Sequence, residues 1–180
     1  MQKYVMLDKK VGETPLACAE AWRANQGTEY INVPLAYAGR LDPMASGKLL
    51  VLISEECKRQ EQYHGLDKAY TFEVLFGVTT DTADVLGRIQ KIETPALTHK
   101  QLTAVARSLV GDVVLPYPHF SSKTVNGKPL HVWTLEGRLG EITIPTKAST
   151  IFKLACTDVR TETGANIYKT VREKIETIAP

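Results

Sequence analysis

The residues of this 180-residue chain best placed to do chemistry lie in Gly39-Arg40-Leu41-Asp42-Pro43-Met44-Ala45-Ser46-Gly47-Lys48. One carboxylate, Asp42, stands between two glycines. Pro43 fixes its own φ, removes a backbone donor and disfavours helical geometry at Asp42. Gly39 and Gly47 permit tight or left-handed turns on either side. The run Leu49 to Ile53 follows at once, short and apolar, as expected of a buried strand. The pattern sets a carboxylate on a shaped loop braced by a core element. Such a group can act as a nucleophile or as an electrostatic stabiliser.

Other readings of the same residues fail on spacing. Asp-Pro taken alone is a common turn pair. A phosphate-cradling loop would need glycine where Asp42 stands and Ser or Thr where Leu49 stands. A hydrolase built on a nucleophilic aspartate would need a second acid or base near Asp42, which the sequence does not supply. The stretch Thr80-Asp81-Thr82-Ala83-Asp84-Val85-Leu86-Gly87 lacks the glycine and terminal glutamate of a calcium loop. It reads instead as a turn whose side chains bond its own backbone.

The length suits one well-cored domain, and 43% hydrophobic with 23% charged residues is ordinary for a globular protein. A net charge of +2 does not by itself establish nucleic-acid binding. Cys18, Cys57 and Cys156 are scattered and odd in number, which argues against a disulfide framework and for a reducing cytoplasm. His64, His99, His119 and His131 are isolated as well, so no metal site is expected. No apolar stretch reaches membrane-spanning length and the N-terminus has no signal-peptide pattern.

The elements that must position Asp42 follow from local pattern. Tyr4 to Leu7 reads as an opening strand, and Thr14-Pro15 as the cap and first position of a helix carrying Leu16, Ala19, Trp22 and Arg23. Asn25 to Ala38 reads as a loop, and Glu55 to Tyr63 as helical. Alternation of Tyr70, Phe72, Val74 and Phe76 has the period of a strand. Arg88 to Ile92 should be a returning strand, Leu97 to Leu109 a helix ended by Gly111-Asp112, and Glu141 to Pro145 and Thr150 to Thr157 strands. Ile167, Val171, Ile175 and Ile178 form one helical stripe over Ala165 to Ile178.

Gly39 to Gly47 resembles the G-x-L-D-P-x-A-x-G motif of pseudouridine synthases of the TruB type. Asp67-Lys68-Ala69-Tyr70 is similar to the family's K-x-Y, and Thr80 to Gly87 to its T-D-T-x-D-x-x-G, in family order. Leu115 to Leu130 resembles its P-P-x-Y-S-A-x-K-x-x-G-x-x-x-Y segment, with Phe120 for the first tyrosine and Thr124 at the lysine position, Lys123 lying one residue earlier. His131 falls at the segment's second tyrosine. Lys10 replaces a usual proline near the start, and Tyr37 a usual histidine. The family's G-T-Y-I-R segment, whose arginine pairs with the catalytic aspartate, is not found: Arg160 and Arg172 lie in another context. The resemblance covers roughly residues 4 to 157 and includes no C-terminal PUA-type domain.

This resemblance implies an α+β pseudouridine synthase catalytic fold over residues 1–180, with a mixed, largely antiparallel central sheet and flanking helices, incomplete at its C-terminus. It implies an isomerase that converts uridine to pseudouridine in the T-loop of tRNA. The N1–C1′ bond breaks, the base rotates, and it rejoins through C5, with no cofactor. Asp42 is the expected catalytic carboxylate. Attack at C6, attack at C1′ and abstraction of a ribose proton all stay open. Tyr70 is expected to stack on the base and to assist loss of the C5 proton. Tyr37, Arg40, Leu41, Lys68 and Asp84 complete the expected substrate-binding set. Arg40, Lys48, Lys68 and Lys123 are candidates for the phosphate contacts that offset flipping a nucleotide out of a folded loop. The RNA is the expected partner. The rival reading is a non-catalytic, RNA-binding or merely folded remnant of the same domain. A missing central strand would leave a sheet edge exposed and favour dimerisation.

Overall fold

The computed structural model describes residues 2–93 and 96–178. The chain divides into two compact units, one made of the residues up to Phe72 together with those from Thr163 onward, the other of Glu73–Glu162.

The first unit is built on β1 (Tyr4–Lys9), α1 (Pro15–Ala24), β2 (Leu35–Tyr37) and β3 (Gly47–Ile53). The strands form one antiparallel sheet in the order β1-β3-β2. Tyr4 pairs with Leu52 and Lys9 with Gly47 along β1, while Leu35 pairs with Ile53 and Tyr37 with Val51 along β2. β3 is therefore central, which is why its apolar run Leu49, Val51, Leu52 and Ile53 is at most 1% exposed. Helix α1 starts as its cap residues require: the Thr14 hydroxyl accepts from the Ala17 amide and Pro15 takes the first position. It lays Cys18 and Ala19 against Leu49 and Val51. The helical stretch after β3 opens as a 3₁₀ segment, Ser54–Arg59, and continues as α2 (Gln60–His64).

The second unit contains the antiparallel pair β4 (Val78–Thr80) and β5 (Ile89–Ile92), then α3 (His99–Ser108), opened by a capping box in which Thr98 and Gln101 bond reciprocally. β6 (Gly111–Pro116) follows, then the short hairpin β7 (Thr124–Val125) and β8 (Lys128–Pro129), and α4 (Leu130–Leu135). β9 (Thr146–Ile151) pairs antiparallel with β6. Leu130 and Trp133 are buried. The Trp133 indole N–H donates to the Val125 carbonyl at 3.1 Å, and its ring lies under the Lys128 ammonium and the Arg138 guanidinium. The final helix, α5 (Gly164–Ile178), belongs to the first unit and half-buries the stripe Ile167, Val171, Ile175 and Ile178.

Helices and antiparallel strands are thus mixed, as expected. Among the described residues the ladders form one three-stranded sheet and three two-stranded pairs, not a single central sheet. The expected strand over Tyr70 to Phe76 has no ladder: Tyr70 is 72% exposed and Phe72 64%. Its alternation satisfies the period, but a strand also needs a neighbour to take its backbone groups. The expected loop before Asp42 contains β2, recruited by pairing with β3. The expected strand at Glu141 to Pro145 is replaced by a 3₁₀ turn at Leu139–Glu141, held by the Arg138–Glu141 ion pair. The later strand sits at Thr146–Ile151 instead of Thr150 to Thr157, because it starts opposite Pro116. Gly111-Asp112, read as a helix stop, also opens β6.

Candidate active site

Asp42 lies on the connection from β2 to β3. Asp42, Pro43, Met44 and Ala45 form a β-turn with proline at its second position, closed by the Ala45 amide donating to the Asp42 carbonyl at 2.9 Å. Two further bonds hold this turn, one from the connection between β1 and α1 and one from the last residue of β1. The Gly12 amide donates to the Pro43 carbonyl at 2.8 Å. The Lys9 ammonium donates to the Ala45 carbonyl at 2.6 Å and to the Lys10 carbonyl at 3.0 Å. Gly47 then enters β3 at φ +150, a conformation that L side chains rarely adopt.

All three turn carbonyls named here are occupied, while the Asp42 side chain is exposed. Among the described residues it has neither a hydrogen bond nor an ion pair. The turn is fixed and its carboxylate is free.

Lys9, the residue before the Lys10 that replaces a usual proline, was not among the expected site residues, but a signal exists. Val5 and Leu7 face the core cluster, and Lys9 continues that parity along β1. It is 1% exposed. A lysine on the inward face of a strand must place its charge on internal acceptors, and the turn of Asp42 supplies one of them.

The remaining expected site residues are distributed as follows. Leu41 and Tyr37 are half-buried and pack against the core cluster of Cys18, Ala19, Leu49 and Val51. The Tyr37 carbonyl accepts from the Gln60 amide group at 2.7 Å. Arg40 is exposed, two residues before Asp42. Lys68 turns back to the end of α2, donating to the His64 and Leu66 carbonyls. Tyr70 is exposed in the stretch that follows. Lys48 pairs across the sheet with Asp8 at 2.7 Å, both exposed.

Asp84 and Lys123 belong to the second unit. Asp84 accepts from the Thr82 hydroxyl and the Leu86 amide, Asp81 accepts from the Arg88 amide, and Ala83 takes φ +60. The turn between β4 and β5 is self-bonded, as its composition indicates. Lys123 lies over the Tyr117 ring, 5.3 Å from its centroid. Arg160 is engaged by Glu73 at 2.8 Å, and Arg172, in the first unit, by Glu176 at 2.7 Å. Among the described residues no group of three or more His, Cys, Asp or Glu side chains is placed to hold a metal ion, and no helix is long and apolar enough to cross a membrane.

The exposed Asp42 carboxylate on its proline turn, beside the buried strand β3, lies inside the region that matches a known family. Residues 32–177 match the family described as TruB family pseudouridylate synthase (N terminal domain), and the chain belongs to that family. The match runs beyond residue 157, where the recognisable motifs stop. Among its relatives, a tRNA pseudouridine synthase B of Geobacillus thermodenitrificans is 32% identical over 162 residues, covering 89% of this chain and 52% of the relative. Another of that name, from Caldicellulosiruptor saccharolyticus, is 30% identical over 154 residues, 86% and 51% of the two chains. The tRNA pseudouridine synthase 4 of Saccharomyces cerevisiae is 34% identical over 124 residues, 68% and 31%. The chain spans about half the length of the first two relatives.

Proposed function

We propose that this chain carries the aspartate-bearing part of a tRNA pseudouridine synthase, converting uridine to pseudouridine in the T-loop with Asp42 as the catalytic carboxylate. The observation that carries this reading is the Asp42 turn, pinned at three carbonyls with its carboxylate exposed, inside the family-matched region. A fixed backbone with a free carboxylate suits chemistry on a flipped-out base, since positioning is complete before the substrate arrives. Tyr70, exposed and aromatic, has a free face for stacking on uracil. Tyr37, Arg40, Leu41, Lys68 and Asp84 are the residues we assign to the substrate side. For Tyr37 and Leu41 that role is shape, since both are packed, and for Lys68 it requires release from the two carbonyls it now contacts.

The RNA is held by phosphate contacts, for which Arg40 is the candidate nearest Asp42 in sequence, and the reaction takes place in the cytoplasm without cofactor or metal. We place dimerisation at a sheet edge, for which β1 is one edge strand of the three-stranded sheet. A strictly monomeric species across concentration in gel filtration would contradict that part. The isomerisation is tested by incubating the protein with an unmodified tRNA transcript and mapping pseudouridine by carbodiimide-dependent reverse-transcription stops. A new stop in the T-loop is expected, and its absence with a folded protein overturns the catalytic reading. A second reading, an RNA-binding remnant without turnover, is favoured by one observation: Arg160 and Arg172 already pair with Glu73 and Glu176. RNA retention without a new stop would identify it.

A further inference from the structure

We infer that the free edge of β1 takes a second copy of this chain, β1 pairing antiparallel with β1 across a two-fold axis at Met6, which sharpens the dimerisation placed at a sheet edge and rests on it. The Ile53 amide donates to the Lys3 carbonyl at 2.9 Å, one step along the ladder from the pair of Tyr4 with Leu52. Hydrogen-bonded and open pairs alternate along an antiparallel ladder. Val5 and Leu7 therefore turn their main-chain groups toward β3, and Tyr4, Met6 and Asp8 turn theirs outward. Among the described residues nothing donates to or accepts from those outward groups. The side chains of Tyr4 and Met6 are each half exposed, at 52%. The other edge of the sheet is guarded: β2 is three residues long, follows Pro34, and has its outward Tyr37 carbonyl taken by Gln60. β1 runs for six residues in unbroken register, without proline or bulge. An edge left that way is a template for another strand.

A two-fold at Met6 sets Met6 opposite Met6 and Tyr4 opposite Asp8 of the second copy, so every outward residue of β1 gains its main-chain partners on both chains. Val5 comes beside Leu7 of the second copy, on the face that carries the core. Charge agrees with this register. Asp8 is already neutralised by Lys48 at 2.7 Å, and it meets a phenol instead of a second carboxylate. Lys3 falls opposite Lys9 of the second copy, whose ammonium is turned onto the Ala45 carbonyl.

The test is thiol cross-linking in a chain carrying Cys57→Ser and Cys156→Ser, which leaves only the buried Cys18. Opposed Cα atoms in a hydrogen-bonded pair lie about 5.5 Å apart, a span that a disulfide bridges. Under mild oxidation Met6→Cys is expected to form a reducible dimer at least tenfold faster than Leu16→Cys, an exposed position on α1. Tyr4→Cys mixed with Asp8→Cys is expected to cross-link, and either alone is not. Sedimentation velocity reads the same edge without added thiols. Met6→Pro removes only an outward amide, which an edge strand tolerates, and is expected to weaken the dimer at least tenfold. Should Met6→Pro not fold, Met6→Lys is read in the same way. A parent that sediments as a monomer at every concentration overturns the dimer as a whole. A dimer in which Met6→Cys cross-links no faster than Leu16→Cys overturns the β1 edge alone. A Met6 amide protected from exchange where the chain is monomeric overturns it too, because another segment of the chain then covers the edge. The catalytic reading of Asp42 stands or falls separately.

Discussion

Gly12 donates its amide to the Pro43 carbonyl at 2.8 Å while its α-carbon faces the Thr177 carbonyl so closely that an added β-carbon would sit 2.8 Å from that oxygen. One residue thus joins the turn of Asp42 to the last turn of α5, at φ +87. Gly12→Ala introduces both a strained backbone and a clash with main chain, which cannot swing away as a side chain can. A destabilisation of about 2 kcal/mol is expected, read as a lower midpoint in urea with the slope unchanged. A midpoint equal to the parent's would show that α5 does not lean on this turn.

In the second unit, Leu130 and Trp133 are the buried apolar side chains among the described residues. Leu130 is fully enclosed, and its amide also closes the hairpin by donating to the Lys123 carbonyl. Leu130→Ala should cost roughly 3 kcal/mol, with loss of dispersed NMR signals for 117–142 while those of the Gly47–Ile53 strand persist. Retention of both sets would mean that the unit is held by its ion pairs at Glu136, Arg138 and Glu141 instead of by burial.

Glu56 is buried, and its carboxylate accepts from the Tyr63 hydroxyl at 2.8 Å, with Arg59 at 3.5 Å. The Tyr63 bond, with a smaller contribution from Arg59, holds the carboxyl below the ordinary carboxylate range. The same bond pushes the Tyr63 phenol up. A depressed carboxyl contributes stability above its unfolded pKa and loses it as pH falls through the folded value. A raised phenol contributes below its unfolded pKa and loses it as pH rises through the folded value. Tyr63→Phe should therefore flatten the melting temperature against pH at both ends. Parallel curves for parent and variant would remove the bond from the account.

Asp42 and its turn were legible because Pro43 and the flanking glycines restrict the backbone locally, and local restriction is what a sequence records. Thr14 was equally readable as a cap beside Pro15, whereas the helix expected from Leu97 starts at His99 because Thr98 caps it. The stripe of α5 followed from spacing alone. Lys9 was not read because its role comes from strand parity combined with a partner thirty-six residues away. β2 was hidden for the same reason: Leu35 to Tyr37 is a strand only because β3 offers it a ladder. The stretch at Tyr70 shows the converse, a strand pattern without a neighbour to make it one.

Among the expected phosphate contacts, Lys48 and Lys68 are already committed, to Asp8 and to the end of α2, whereas Arg40 is exposed beside the Asp42 turn. Arg40→Ala should weaken RNA retention and reduce the salt slope of binding by about one phosphate contact, measured by filter binding at several salt concentrations. Equal slopes for parent and variant would assign the contact elsewhere.

The most direct measurement is tritium release from a tRNA transcript labelled at C5 of uridine, with the parent chain beside Asp42→Asn. The asparagine keeps the shape of the side chain and leaves the Gly12 and Lys9 bonds to the turn untouched, so both proteins should fold alike. Release by the parent and none by Asp42→Asn is the predicted result. Equal release from both, or none from a folded parent, would contradict the assignment of Asp42 as the residue that carries the reaction.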